Sequence, residues 1–159
     1  MIKLSLKSVL AHLHDKKFNA HLQNETQQIY ILFNLDGVEF PLFIRVDEEP
    51  KIMQLFMFLP CTVNPNTYGE VARLLHLLNK EIDMPGFGLE EKASVIFFRW
   101  VIPTPSGEVQ EQLFDRFLVA IPQICKACFP VIASVASEQV TFDMSIGQVK
   151  TILSKFLSG

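Results

Sequence analysis

No catalytic signature can be read in this chain of 159 residues. No serine sits in a Gly-x-Ser-x-Gly elbow, and no glycine-rich loop is built to cradle a phosphate. Internal repeats, low-complexity segments and linkers are also missing. A single domain over 1–159 is therefore expected, long enough to bury a core without disulfides or metal. Cysteine is scarce: Cys61, Cys125 and Cys128 are three, an odd number that cannot all pair, which suits a reducing compartment. No uninterrupted apolar run is long enough to span a bilayer. The N-terminus starts basic, but Lys7, His12, His14 and Asp15 interrupt any signal-peptide core. The expectation is a cytoplasmic protein without membrane insertion, in which the glycosylation pattern at Asn24-Glu25-Thr26 is accidental. Excess positive charge is absent too. A formal net charge of −3 argues against a general nucleic-acid binder, whose phosphate affinity is carried by Lys and Arg.

What the chain has is apolar surface, 49% of its residues, which argues against disorder. The most informative stretch is 28–60, where three strand-like runs follow one another with almost no loop. Ile29 to Leu35 leads through Asp36-Gly37 into Val38 to Val46, and Ile52 to Leu59 follows the acidic turn Asp47-Glu48-Glu49-Pro50. Asp-Gly between β-branched and aromatic runs is a strong hairpin signal, because glycine accepts the positive φ of a primed turn. The alternation places Ile29, Ile31, Phe33 and Leu35 on one face, and Val38, Phe40, Leu42, Ile44 and Val46 likewise on one face. Pro41 cannot donate to a ladder and is expected at an edge or a bulge.

Around this meander the spacing predicts helices. Leu6, Val9, Leu10 and Leu13 mark a first one that ends before about Phe18-Asn19, and 21–26 reads as a loop or weak edge strand. Asn64-Pro65 offers an N-cap and first-turn proline for a helix to about Ile82, with Val71, Leu74, Leu75, Leu78 and Ile82 as its buried stripe. Met84-Pro85-Gly86-Phe87-Gly88 ends it, 94–102 reads as a strand, and Pro103 to Gly107 as a turn. From Glu108 a helical phase persists for nearly thirty residues, one long helix or two stacked ones, with Pro122 and Pro130 expected to bend or break it. Ser145-Ile146-Gly147-Gln148 resembles a capping box that opens a last helix, an extra C-terminal element within 141–159. The order α-β-β-β-α-β(β)-α-α describes an α+β fold, an antiparallel β-meander sheet covered by helices.

Few constellations invite chemistry. In Cys125-Lys126-Ala127-Cys128 both thiols fall inside an apolar helical phase, so they read as buried small hydrophobes. Pro122 could start a new helix and bring Cys125 to its first turn, which keeps a thiol-redox role open. Cys61 stands alone, so zinc lacks a second ligand pair. His12 and His14 are two apart and point about 200° apart on a helix, so they cannot share one ion and read as a surface pair. Asp47-Glu48-Glu49 lacks the alternating oxygen ligands and the glycine of an EF-hand. No catalytic, cofactor-binding or metal residue is therefore assigned. Phe40, Phe43, Phe56, Phe58, Phe97, Phe98 and Trp100 fall in strands on both parities, so both sheet faces need cover, from the chain's own helices or from a partner.

The hairpin at Asp36-Gly37, the helix that ends Leu74-Leu75-His76-Leu77-Leu78-Asn79 and the strand over 95–102 together resemble the YbjN-like family. That family is similar in fold to the type III secretion chaperones, small acidic cytosolic proteins that commonly dimerise and hold an extended segment of a secreted effector. The resemblance covers roughly 1–136 as an order of elements, and the tail over 141–159 departs from it. It implies a non-enzymatic protein-binding module, a homodimer, and a protein partner such as a secreted effector. The alternatives are a regulator that contacts folded cytosolic proteins, and a thiol-redox protein that uses Cys125 and Cys128. No cofactor is implied. The residues expected to meet the partner are Phe43, Phe56 and Phe58 in the strand block, with Ile152 and Phe156 on the last helix.

Overall fold

In the computed structural model the elements follow the order β1 (Ile2–Lys3), α1 (Leu6–Asp15), β2 (Ala20–Gln23), β3 (Gln28–Leu35), β4 (Val38–Glu48) and β5 (Lys51–Phe58). A single 3₁₀ turn (Pro65–Thr67) then leads into α2 (Tyr68–Glu81), β6 (Phe87–Glu90), β7 (Val95–Pro103), β8 (Glu108–Val109), α3 (Glu111–Ala136) and α4 (Phe142–Ser158). The structure describes the backbone of residues 1–158 and the side chains of residues 1–155. The chain divides into two compact units, Met1–Met57 with Arg99–Pro122, and Phe58–Phe98 with Gln123–Gly159.

The first unit is built on the meander. Asp36 and Gly37 adopt φ of 54° and 82°, the pair of left-handed residues that a primed turn requires. The Asn34 side-chain oxygen accepts the Gly37 N–H at 2.9 Å. This turn pins the register: Ile29 faces Ile44 and Ile31 faces Leu42 across β3 and β4, while Ile44 faces Leu55 and Leu42 faces Met57 across β4 and β5. All six are buried, as are Phe40 and Met53 on the same face. Each such side chain contributes about 1.5–3 kcal/mol by leaving water, which is why the alternation dictates the register. The antiparallel edge strand β2 pairs with β3, the stronger form of what 21–26 suggested.

Helices cover that buried face. The Ser5 hydroxyl accepts the Ser8 N–H and caps α1, which buries Val9, His12 and Leu13. The first part of α3 buries Phe114, Leu118 and Ile121, and Phe117 meets Trp100 of β7 at 5.7 Å between ring centroids. Pro41 lies in an interior strand, but one residue beyond the β4–β5 pairs, which run from Leu42–Met57 to Glu48–Lys51. Its missing N–H interrupts none of those pairs. One short ladder escaped the sequence pattern. β1 pairs with β8 through Ile2–Val109 and Lys3–Glu108, because two-residue strands carry no periodicity of their own.

In the second unit the Asn64 side chain caps the turn before α2, as its sequence suggested, and α2 buries Val71, Leu74, Leu75 and Leu78. Beyond the segment that ends α2, Phe87–Glu90 forms β6 against β7. The strand is held by Asn79, whose side-chain oxygen accepts the N–H groups of Gly86 and Phe87 while its amide donates to the Phe87 carbonyl. Gly88 leaves room for the Phe97 ring of β7, where a Cβ would come within 2.5 Å of the ring.

Neither Pro122 nor Pro130 breaks α3, which runs continuously over 26 residues. An interior proline costs about 3 kcal/mol, but Ile121, Cys125, Cys128, Val131, Ile132 and Val135 are all buried along one stripe, and that burial outweighs the lost bonds. By length and composition α3 is also long and apolar enough to cross a membrane, although half of its most apolar stretch is buried in the fold. The last helix opens at Phe142, three residues before the expected capping box. The Thr141 hydroxyl accepts the Met144 N–H, Glu70 accepts the Phe142 N–H, and Arg73 stacks over the Phe142 ring at 4.2 Å. Ser145 is buried inside the first turn and bonds the Phe142 carbonyl.

Asn79→Ala leaves two N–H groups and a carbonyl without their partner. The expected loss is about 1–3 kcal/mol of stability, read by urea denaturation.

Candidate functional site

Three places in the fold bring chemistry-bearing or exposed apolar side chains together. The first is the second face of the meander. Because Tyr30 faces Phe43 and Phe43 faces Phe56 in register, these three rings form a row across β3, β4 and β5 on the side opposite the core. All three are half-buried, and Leu32 beside them is 52% exposed. Tyr30 makes ring contacts with His21 of β2 and Phe43 of β4, at 5.4 and 6.2 Å. One end of the row is polar, where Asp47 receives hydrogen bonds from Arg45 and Gln54. Phe43 and Phe56 are thus brought side by side, and Phe58 lies two residues further along β5, also half-buried. Ile152 lies half-buried on α4 in the second unit. The side chain of Phe156 lies outside the described residues.

The sheet edges are a different matter. An open edge presents unpaired backbone groups that can recruit another strand. At β2 the His14 ring bonds the Ala20 carbonyl at 2.9 Å. At β6 the outward-facing amide and carbonyl of Phe87 are held by Asn79, and the Glu91 carbonyl accepts the Tyr68 hydroxyl at 3.0 Å. That hydroxyl also contacts Ser94. Of the outward-facing backbone groups in each short edge strand, those of Leu22 and Leu89 remain between the held positions.

The second place joins α1 to the start of α3. His12 is not a surface residue as its sequence position suggested; it is 9% exposed and packs on the Phe114 ring. Its Nε2 lies 2.7 Å from Asp115 Oδ1, and its Nδ1 lies 3.8 Å from Glu111 Oε1. Glu111 and Asp115 are four apart on α3 and therefore share a face. Lys16, one turn beyond His12, reaches both carboxylates, at 3.6 Å from Glu111 and 3.2 Å from Asp115. Desolvation alone would raise the Asp115 carboxyl, but the bonds from His12 and Lys16 together hold it below the ordinary aspartate value. The Lys16 ammonium is raised, chiefly by its bond to Asp115. The cluster opens on a depression of about 560 Å³ lined by Met1, Lys16, Gln110, Glu111, Gln112 and Asp115. No sequence motif announces it, since His12 and Asp115 stand 103 positions apart. The spacing of Glu111 and Asp115 was the one local hint.

The third place is the thiol pair. Cys125 and Cys128 are buried in the interior of α3, away from its N-terminus. Burial pushes the Cys128 thiol up to about 12, and burial together with the Cys128 charge pushes Cys125 higher still. Cys61 is raised by burial as well. Such thiols carry almost no thiolate at neutral pH, so the pair reads as packing rather than as a reactive dithiol.

The comparisons with known proteins follow the fold. Residues 5–134 match the model of the YbjN family, described as "Putative bacterial sensory transduction regulator". A crystal structure of YbjN from E. coli, described as "a putative transcription regulator", superposes with a TM-score of 0.63 at 11% identity, over 87% of this chain and 96% of that one. At that identity the likeness is one of fold. No curated protein matches the chain.

The cluster makes stability depend on pH. A depressed carboxyl contributes stability above its unfolded pKa and loses it as pH falls through the folded value, whereas the raised Lys16 contributes below its unfolded pKa and loses it as pH rises through the folded one. The wild-type chain is therefore expected to lose stability on acidification more steeply than Asp115→Asn, as read by thermal melts across an acid series.

Proposed function

The chain belongs to the YbjN family, and from that premise we propose that it is a non-enzymatic regulatory protein that acts through contacts with other proteins. The observation that carries this reading is the second face of the meander. Tyr30, Phe43 and Phe56 form a half-buried apolar row with the exposed Leu32 beside it, on a sheet whose opposite face buries Ile29, Ile31, Phe40, Leu42, Ile44, Met53, Leu55 and Met57. Apolar side chains in register on one face, with a polar cluster at one end, are what a protein partner recognises. The inert, buried thiols and the lack of a catalytic constellation among the motifs fit the same role. Three free cysteines suit a cytosolic protein.

A finer version has the partner held as an extended segment, in the manner of type III secretion chaperones, by a homodimer of this chain. The held positions on the β2 and β6 edges favour recognition through side chains laid on the sheet face over addition of a new strand. A secreted effector and a folded cytosolic regulator then differ in what covers the face, not in which face is used.

The test is affinity capture of the tagged chain from its native cytosol, with light scattering on the eluate, repeated with Leu32→Asp and Phe43→Asp. Leu32 is exposed enough for its variant to remain folded, with about 1 kcal/mol or less of lost stability. A stoichiometric complex that both variants abolish supports the proposal; a complex indifferent to them, or none, counts against it.

The same proposal treats 1–159 as one domain. The chain passes from one unit to the other inside β5, inside β7 and inside α3, without a linker at any of these points. Urea is expected to unfold the protein in one transition, with Trp100 fluorescence and helical circular dichroism coincident. Two separated transitions would divide it.

A further inference from the structure

We infer that His12 and Glu111, supported by Asp115, form a binding site for a divalent transition-metal ion of borderline character, with zinc as the reference case. The inference goes beyond the protein-contact role and does not depend on it.

The buried His12 ring has a carboxylate facing each of its two nitrogens. Nε2 is within hydrogen-bond distance of Asp115 Oδ1, at 2.7 Å. With the proton on that side, Nδ1 presents a lone pair, and what it faces is Glu111 Oε1 at 3.8 Å. Lone pair against carboxylate is repulsive, a repulsion that the Lys16 ammonium, 3.6 Å from the same Glu111 oxygen, offsets when no ion is bound. At 3.8 Å the two atoms are too far apart for a direct hydrogen bond. A metal ion fits better. With about 2.1 Å to each ligand at the tetrahedral angle, an ion spans nitrogen and oxygen about 3.4 Å apart, a few tenths of an ångström of closure from the 3.8 Å of this pair. The Nε2–Asp115 bond then becomes the usual carboxylate support of a metal-bound histidine, fixing its tautomer and raising its basicity.

Other features agree. The ligand-type atoms of His12, Glu111 and Asp115 all lie within 4.8 Å of one another, with Glu111 on the Nδ1 side as ligand and Asp115 on the Nε2 side as support. They come from two helices of the same unit, so the backbone and not a loop sets their spacing. The depression in front of Glu111 and Asp115 gives water access to the open coordination positions. One imidazole and carboxylate oxygens suit a borderline ion. Lys16 already lies 3.6 Å from Glu111, so its ammonium is the resident competitor, and as a half-exposed side chain it can swing away. That competition separates the metal reading from a purely structural clasp. Removing Lys16 strengthens a metal site and only weakens a clasp.

The experiment titrates zinc and cobalt chloride into the reduced full-length chain, with calorimetry for stoichiometry and the cobalt absorption spectrum for ligand type. One ion per chain is expected, without thiolate charge-transfer absorption. Glu111→Gln and His12→Gln are expected to weaken it by about tenfold or more, Lys16→Met to tighten it several-fold, and Cys61→Ser to leave it unchanged. Glu111 is exposed, so its variant stays folded and decides the matter even if His12→Gln does not. Absence of saturable binding, an unchanged affinity in Glu111→Gln, a weaker affinity in Lys16→Met, or thiolate absorption lost in Cys61→Ser would each overturn the proposal.

Discussion

Register in the meander is the constraint on which the first unit depends. The Asp36-Gly37 turn allows one pairing of β3 with β4, and from it follow the rows Ile29–Ile44–Leu55 and Tyr30–Phe43–Phe56. A slip by one residue would exchange the two rows, exposing aliphatic side chains and burying Arg45, Gln54 and Glu39 without partners. The core therefore selects the register with far more energy than the turn alone supplies. As a by-product it fixes a row of aromatic rings on the other face. The candidate contact surface is thus a geometric consequence of building the core, and its members cannot be rearranged independently of it.

The clasp between α1 and α3 is of another kind. A buried histidine is tolerated because carboxylates face both of its nitrogens and Lys16 balances their charge. Part-buried charges lose hydration that their mutual attraction only roughly repays, so the cluster orients the helices more than it drives folding. The same balance makes it responsive, since anything that alters one member, a proton or a competing cation, changes what the others must satisfy.

Protection of the edges separates this sheet from one made to grow. His14 and Asn79 each occupy an outward backbone group of an edge strand, and Tyr68 holds the Glu91 carbonyl just past the end of β6. With short edge strands and held positions, association by strand addition is discouraged, which is why the proposed contact surface is the sheet face and not an edge. The fold shared with the E. coli YbjN crystal structure at 11% identity shows how little of this architecture rests on particular residues.

Much of the fold was legible in the sequence. Period-two alternation over 29–46, the Asp-Gly turn, the Asn64 cap and the stripe on α2 are local signals, and each predicts its own element because the energy involved is local too. Phe43 and Phe56 were recognisable as strand aromatics off the core parity. The sequence could not show β6, β8, the start of α4 or the integrity of α3, because those are decided by partners far along the chain: Asn79 for β6, Ile2 for β8, Glu70 and Arg73 for Phe142, and a buried stripe for two prolines. Nor could it show that His12 is buried beside Glu111 and Asp115. The sequence by itself determined which residues seek water and how often they alternate, hence the elements and the α+β class. Only the tertiary structure decided which polar groups meet inside, because contact across a hundred residues is a property of packing and leaves no periodic trace.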